Sequence, residues 1–192
     1  MNHFYAWCVP FVWVFTEEVM NRGAHLLIPD KIQRIGTQSV DPTAKNYHWG
    51  DFTQGLLEAK NTGYDNTVLL DANGHVTEGP GFNIFIIKDS EISTPASGVL
   101  HGITRKVTME LCNHHNLPVI EKEIKLNELL NADEIFATTT GGGVVPVTRV
   151  NQHSFSNNAI GEVTQALQNT YWQWHNDESM SESINYSLFE NS

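Results

Sequence analysis

Lys45 stands in Asp41-Pro42-Thr43-Ala44-Lys45-Asn46, where an extended X-Pro segment meets an apparent helix. An ε-amine held there, out of bulk water, has the chemistry for a Schiff base with an aldehyde cofactor. A lone lysine carries little weight, because most lysines are solvated surface residues. Its weight grows because three further segments follow in order: Thr77-Glu78-Gly79, Gly102-Ile103-Thr104-Arg105 and Thr138-Thr139-Thr140-Gly141-Gly142-Gly143.

Glu78 precedes two glycines and a proline and then the apolar run 84–87. The common fate of such a glutamate is an exposed turn. Set against a pyridine nitrogen, its carboxylate would favour the protonated ring, an electron sink for a carbanion. Lys45 and Glu78 together suit pyridoxal phosphate. The stretch 98–105 opens a helix, whose first backbone N–H groups bind phosphate readily and whose Thr104 adds a hydroxyl. Every helix needs an N-cap loop, so that stretch does not discriminate by itself. Residues 138–143 offer three hydroxyls and three bare backbones, a second oxyanion cradle. A flexible turn weighs about equally there, although three glycines between apolar strands are entropically costly. Trp49, four residues beyond Lys45 on a helix face, reads as a pocket wall or as core. The nine histidines show no metal-ligand spacing, and adjacent His114 and His115 point to different helix faces.

These residues need elements to place them. Residues 5–15 and 24–33 read as strands, rich in Val, Ile, Leu and aromatics. Residues 45–61 read as a helix with Gly63 as its stop. Segments 67–70 and 75–77 flank Asn73-Gly74, and 83–88 and 91–94 flank Asp89-Ser90, giving two hairpins. Helices are expected over 103–115, 126–130 and 160–175, and strands over 119–124, 134–138 and 144–150. The polar, acidic segment 177–192 reads as a solvated tail.

The chain has 192 residues, 40% of them apolar, with five tryptophans, enough for a real core. A formal charge of −11 argues against nucleic acid and against an anionic membrane surface. The aromatic run from Phe4 is too short to span a bilayer and has no leader pattern. Cys8 and Cys112 are read as free thiols in a reducing cytoplasm.

Taken in order, these segments resemble the class IV, or fold type IV, pyridoxal-phosphate aminotransferases. That family includes branched-chain and D-amino acid transaminases, aminodeoxychorismate lyases and (R)-selective amine transaminases, and the last group looks nearest. The resemblance is carried by Val40-Asp41-Pro42-Thr43, Lys45-Asn46, Trp49-Gly50-Asp51, Thr77-Glu78-Gly79, Gly81-Phe82-Asn83, Gly98-Val99-Leu100, Gly102, Thr104-Arg105-Lys106 and Asp133-Glu134-Ile135-Phe136. It runs over about residues 4–186.

The resemblance implies an α+β fold: the cofactor-binding, C-terminal domain of the D-amino acid aminotransferase-like architecture, a mixed sheet or barrel-like core with flanking helices. It implies that Lys45 is the Schiff-base lysine and that Glu78 faces the pyridine nitrogen. Leu100 would pack on the ring, Ile103, Thr104 and Thr140 would bind the phosphate, and Trp49 and Gly141 would line the substrate pocket. The run 141–143 is richer in glycine than the family pattern. The family also has a whole domain before the strand matched to 4–15. Residues 1–38 are therefore expected to join from a missing N-terminal domain, 39–176 to bind pyridoxal phosphate, and 177–192 to form the tail. The expected reaction moves an amino group between an amino acid or amine and a 2-oxo acid, with a homodimer as the full-length form. The alternatives are an aminodeoxychorismate lyase-like reaction and an inactive fragment.

Overall fold

The computed structural model describes residues 3–185. Among the described residues five α-helices are formed, α1 (Glu17–Arg22), α2 (Gly50–Asn61), α3 (Ile103–His114), α4 (Leu126–Leu130) and α5 (Glu162–Trp174). Eight strands are formed by β1 (Ala24–Leu27), β2 (Asn66–Thr67), β3 (Asn83–Lys88), β4 (Glu91–Pro95), β5 (Val119–Lys122), β6 (Glu134–Thr139), β7 (Gly143–Val150) and β8 (His153–Ser154). They make one mixed sheet in the order β2-β1-β7-β6-β3-β4-β5, with β8 added beside β7. Pairs β1–β2, β1–β7 and β4–β5 are parallel, whereas β7–β6, β6–β3 and β3–β4 are antiparallel. The expected mixed α and β architecture is present. The barrel-like core is corrected to an open sheet, because β2 and β5 at its ends do not pair with each other.

The central strands are buried on both faces, which is why they read as continuous apolar runs rather than alternating ones. Along β3, Ile84 and Ile86 join one core with Leu26, Val145, Val147 and Leu129. Phe85 and Ile87 point the other way, to Leu111 and Cys112 of α3 and Leu167 and Tyr171 of α5. Phe85 and Phe136 are register partners, and their rings stack at 4.8 Å and 9°. Such a pair adds about 0.5–1.5 kcal/mol beyond its area. The tight turn between β3 and β4 uses Asp89 and Ser90 at positive φ, as a two-residue primed hairpin requires.

One long-range contact fixes where α5 begins. Glu134 of β6 accepts from the backbone N–H groups of Val163 and Thr164 and from the Thr164 hydroxyl, at 2.7–3.1 Å. It satisfies helix-start donors that no residue of the helix caps. A side chain on Gly161 would overlap that carboxylate, its Cβ lying 1.9 Å from Glu134 Cδ. Glu134→Ala is expected to destabilise the fold by about 1–3 kcal/mol, read as a lower urea midpoint.

Several expectations change, among them the strand expected over 24–33, which ends at Leu27. The apolar run 5–15 is not a strand; Phe4, Tyr5, Trp7, Val9, Phe11 and Val12 are all exposed, while Phe15 is buried in the core, against Phe82 at 5.0 Å, and Val14 packs at its edge. High β-propensity describes a residue that fits a pleated, half-covered surface, and among the described residues no strand pairs with this run. The helix expected from residue 45 starts at Gly50. Before it, Asp41 Oδ1 accepts from Thr43 N and Oγ1 at 2.9 and 2.6 Å, and Asn46 Oδ1 accepts from His48 N at 2.9 Å. These local bonds offer the backbone an alternative to helix. Finally, α1 is an addition to the expected elements. Thr16 caps it, its Oγ1 accepting from Val19 N at 3.4 Å, and Glu17 and Glu18 fill its first turn. The last part of the expected tail, residues 186–192, lies outside the described residues.

Candidate active site

Four separated segments meet in one open cleft. Its lining includes Lys45 and Trp49 from the loop before α2, Glu78, Leu100, Ile103 and Thr104 at the start of α3, and Thr138, Thr139 and Thr140 at the end of β6. Seven of the eight residues singled out above are therefore neighbours of the same space. Gly141 is the exception: it does not line the cleft but lies under the Phe11 ring, where an added Cβ would sit 2.9 Å from Cζ. Phe11 belongs to the run read as a strand, so the segment that covers Gly141 could not be found from periodicity.

Lys45 is exposed rather than desolvated, because its loop carries Asx-type turns and leaves the helix to begin five residues later. Its Nζ makes no hydrogen bond or ion pair among the described residues. Trp49 is the N-cap of α2, so Lys45 and Trp49 share the cleft but not a helical face. The indole is 44% exposed and meets the Phe52 ring edge-on at 5.7 Å.

Glu78, by contrast, is buried at 6% exposure. Its Oε2 accepts from Leu100 N at 2.9 Å and from Asn83 Nδ2 at 3.5 Å, and its Oε1 accepts from Arg34 Nη2 at 3.3 Å. Burial pushes its carboxyl above the ordinary value of 4.5, outweighing the Leu100 N–H and the Arg34 guanidinium, which pull it down. Asn83 Nδ2 also donates to Leu100 O at 2.8 Å and so holds the strand β3 against the loop before α3.

The start of α3 is an open donor site. Gly102 is its N-cap with extended backbone and no side chain caps the helix. A Cβ on Gly102 would come 2.5 Å from Asn83 Oδ1, so only glycine lets these two segments approach. On the opposite wall, Thr139 Oγ1 donates to Gly81 O at 2.8 Å and ties the β6 turn to the turn after Glu78. Gly143 has φ +64°, and an added Cβ would lie 2.4 Å from the Tyr171 ring. That close approach explains one glycine of the triplet structurally.

Two polar residues gain weight from the structure: Thr138, within the threonine-glycine run already noted, and Arg34, outside every motif read from the sequence. Thr138 Oγ1 lines the cleft, is buried, and has no hydrogen-bond partner among the described residues. A buried hydroxyl without a partner costs about 1–3 kcal/mol, so it marks where a polar ligand atom would be satisfied. Arg34 is 8% exposed and lines the same cleft. Nothing in Gln33-Arg34-Ile35 distinguishes that arginine from a surface one. Among the described residues no group of His, Cys, Asp or Glu has the arrangement of a metal site. Nor is any helix there long and apolar enough to cross a membrane. Both cysteines are free, and burial pushes the Cys112 thiol up to about 12.

Known proteins share this fold. Residues 20–150 match the family described as amino-transferase class IV. A probable branched-chain-amino-acid aminotransferase of Thermotoga maritima is 43% identical over 142 residues, covering 73% of this chain and 51% of its own. The crystal structure of a branched-chain aminotransferase from Thermoproteus uzoniensis with norvaline superposes with a TM-score of 0.80 at 28% identity, over 90% of this chain and 57% of that one. The T.th. branched-chain amino acid aminotransferase complexed with N-(5'-phosphopyridoxyl)-L-glutamate gives 0.81 at 26% identity, over 87% and 58%. The chain spans about half the length of the curated relatives it matches. With its sheet and residues 20–150 in agreement, the chain belongs to the class IV aminotransferase family.

Proposed function

We propose that this chain holds pyridoxal phosphate and carries the cofactor side of a transaminase that moves an amino group between an amino acid or amine and a 2-oxo acid. The observation that carries this reading is the convergence of Lys45, buried Glu78, the uncapped start of α3 and the Thr138–Thr140 turn on one cleft. The fit is supported by the Thr138 hydroxyl, which has no partner among the described residues, and by the close approach at Gly102. When bound, pyridoxal phosphate supplies an electrophilic carbon and a ring that accepts electrons. Lys45 Nζ, without a partner among the described residues, would be the nucleophile and the group that carries a proton. Glu78 would hold its charge at the ring nitrogen, Leu100 would pack on the ring, and Ile103, Thr104 and Thr140 would bind the phosphate through helix-start N–H groups and hydroxyls. Trp49, with Phe52 beside it, walls the substrate side; Gly141, packed under Phe11 outside the cleft, is not part of that wall.

The names of the relatives point to branched-chain amino acids as donors. Residues 39–176 are the cofactor-holding unit in this reading, with β1 contributing a strand to the same sheet. Exposed aromatics at 4–13 support a homodimer in the working assembly. The two free cysteines support a reducing, cytoplasmic setting.

The test is product analysis with ¹⁵N-labelled leucine, pyridoxal phosphate and a 2-oxo acid. Label in a new amino acid is the expected result. Pyruvate released from an aminodeoxychorismate-type substrate without any acceptor would replace the transaminase with a lyase.

A further inference from the structure

Arg34 is the charged residue of the cleft that no motif contains. It follows β1, its backbone N–H donates to Leu70 O at 2.8 Å, and its guanidinium lies 4.1 Å over the Phe52 ring. Nη1 donates to Asp51 Oδ2 at 2.7 Å, and Nη2 donates to Glu78 Oε1 at 3.3 Å. Asp51 Oδ2 also accepts from Ile35 N at 2.8 Å, so the segment is fixed twice. One buried cation is thus shared by two carboxylates, and the shorter contact goes to Asp51. Asp51 sits in the first turn of α2, six residues beyond Lys45. The same guanidinium therefore ties the helix that follows the lysine loop to Glu78.

We propose that Arg34 is a positioning residue: it holds the Glu78 carboxylate ionised and oriented in the cleft, and Asp51 sets how much of the guanidinium Glu78 receives. The proposal rests on the reading of Glu78 as the partner of the ring nitrogen. The charged groups facing Glu78 are few. Arg34 favours its ionised form, Asp51 opposes it, and burial opposes it most. Lys45 is the only other charged side chain lining the cleft among the described residues. Asn83 and the Leu100 N–H are neutral donors to the same carboxylate.

This sharing has a signature that mere structural support lacks. Removing Arg34 and removing the charge of Asp51 both break the triad, yet they should move Glu78 in opposite directions. The experiment is a carboxyl-carbon NMR titration of the full chain, labelled with ¹³C in its glutamates and free of cofactor. The Glu78 resonance is identified by its loss in Glu78→Gln. Arg34→Met is expected to raise the Glu78 midpoint, Arg34→Lys to keep it near the wild-type value, and Asp51→Asn to lower it. An unchanged midpoint in Arg34→Met, or movement of Arg34→Met and Asp51→Asn in the same direction, overturns the proposal. If Arg34→Met does not fold, Asp51→Asn decides: a midpoint that fails to fall overturns it. Adding pyridoxal phosphate to the same samples separates the two claims. A wild-type chain that shows no Lys45-dependent visible band defeats the cofactor reading, whereas the carboxyl titration alone decides the role of Arg34.

Discussion

Lys45→Ala is expected to cut amino-group transfer by at least about 10²–10⁴-fold, the range typical for losing a positioned proton carrier. The loss should come without a change in fold. Lys45 is exposed, lies in an irregular loop and makes no internal hydrogen bond or ion pair among the described residues. Surface substitutions of this kind usually change stability by about 0.5 kcal/mol or less. Circular dichroism and a urea midpoint equal to wild type, beside lost transfer, are the expected pair of results. Added alkylamines test the cause, since a missing amine that only carries protons is replaceable from solution. A variant that lost activity together with its urea midpoint would point instead to a structural lysine.

Glu78→Gln is the second large effect, and here stability and activity should separate for a different reason. The amide keeps the size of the carboxylate and an oxygen for the Leu100 N–H. It gives up the ion pair to Arg34, which retains Asp51 at 2.7 Å. Breaking a buried pair is strongly destabilising when it leaves an uncompensated charge. Arg34 is not left in that state, and the burial cost of the Glu78 charge disappears with it. Stability near neutral pH is therefore expected to change little, while transfer falls because nothing then favours the protonated ring. The pH dependence has a defined sign. The folded carboxyl lies above its ordinary value of 4.5, so its contribution to stability is fully present below that value and is lost as pH rises through the folded midpoint. Wild type should thus gain on Glu78→Gln as the medium is acidified through that window, measured by urea midpoints across pH. A gap between the two that stays constant with pH would contradict the raised value.

Most residues that meet in the cleft were legible because they sit in short local patterns. Glycine and proline around Glu78, glycine at the start of α3 and the threonine-glycine run after β6 are each required by backbone approach or by donor chemistry. The β3–β4 hairpin and the central strands were legible for the same local reasons. What was not legible depends on distant partners. Arg34 owes its burial to Asp51, Phe52 and Glu78, which are 17, 18 and 44 residues away in the chain. The run 5–15 has the composition of a strand but meets no neighbouring strand among the described residues, and composition cannot supply one. The helix start at Gly50 rather than residue 45 was open to reading, since Asp41 and Asn46 are the residue types that capture their own backbone in turns. The same holds for α1, where Thr16 before Glu17-Glu18 is a helix-start pattern.

The Glu134 bond to α5 shows how the site is braced from behind. The helix α5 packs Leu167 and Tyr171 on the face of β6 and β7 opposite to the core that carries Ile84 and Val145. Tyr171 in turn fills the space left by Gly143, next to the turn that ends in Thr140. A weakened α5 would therefore loosen the Thr138–Thr140 wall before it reached Glu78.

The central claim is that this cleft binds pyridoxal phosphate through Lys45. Incubation of the chain with pyridoxal phosphate, borohydride reduction and peptide mass spectrometry tests it most directly. The account predicts a reduced pyridoxyl adduct concentrated on Lys45 and lost in Lys45→Ala. Equal labelling of Lys45 and of lysines outside the cleft, such as Lys31 and Lys60, would contradict it.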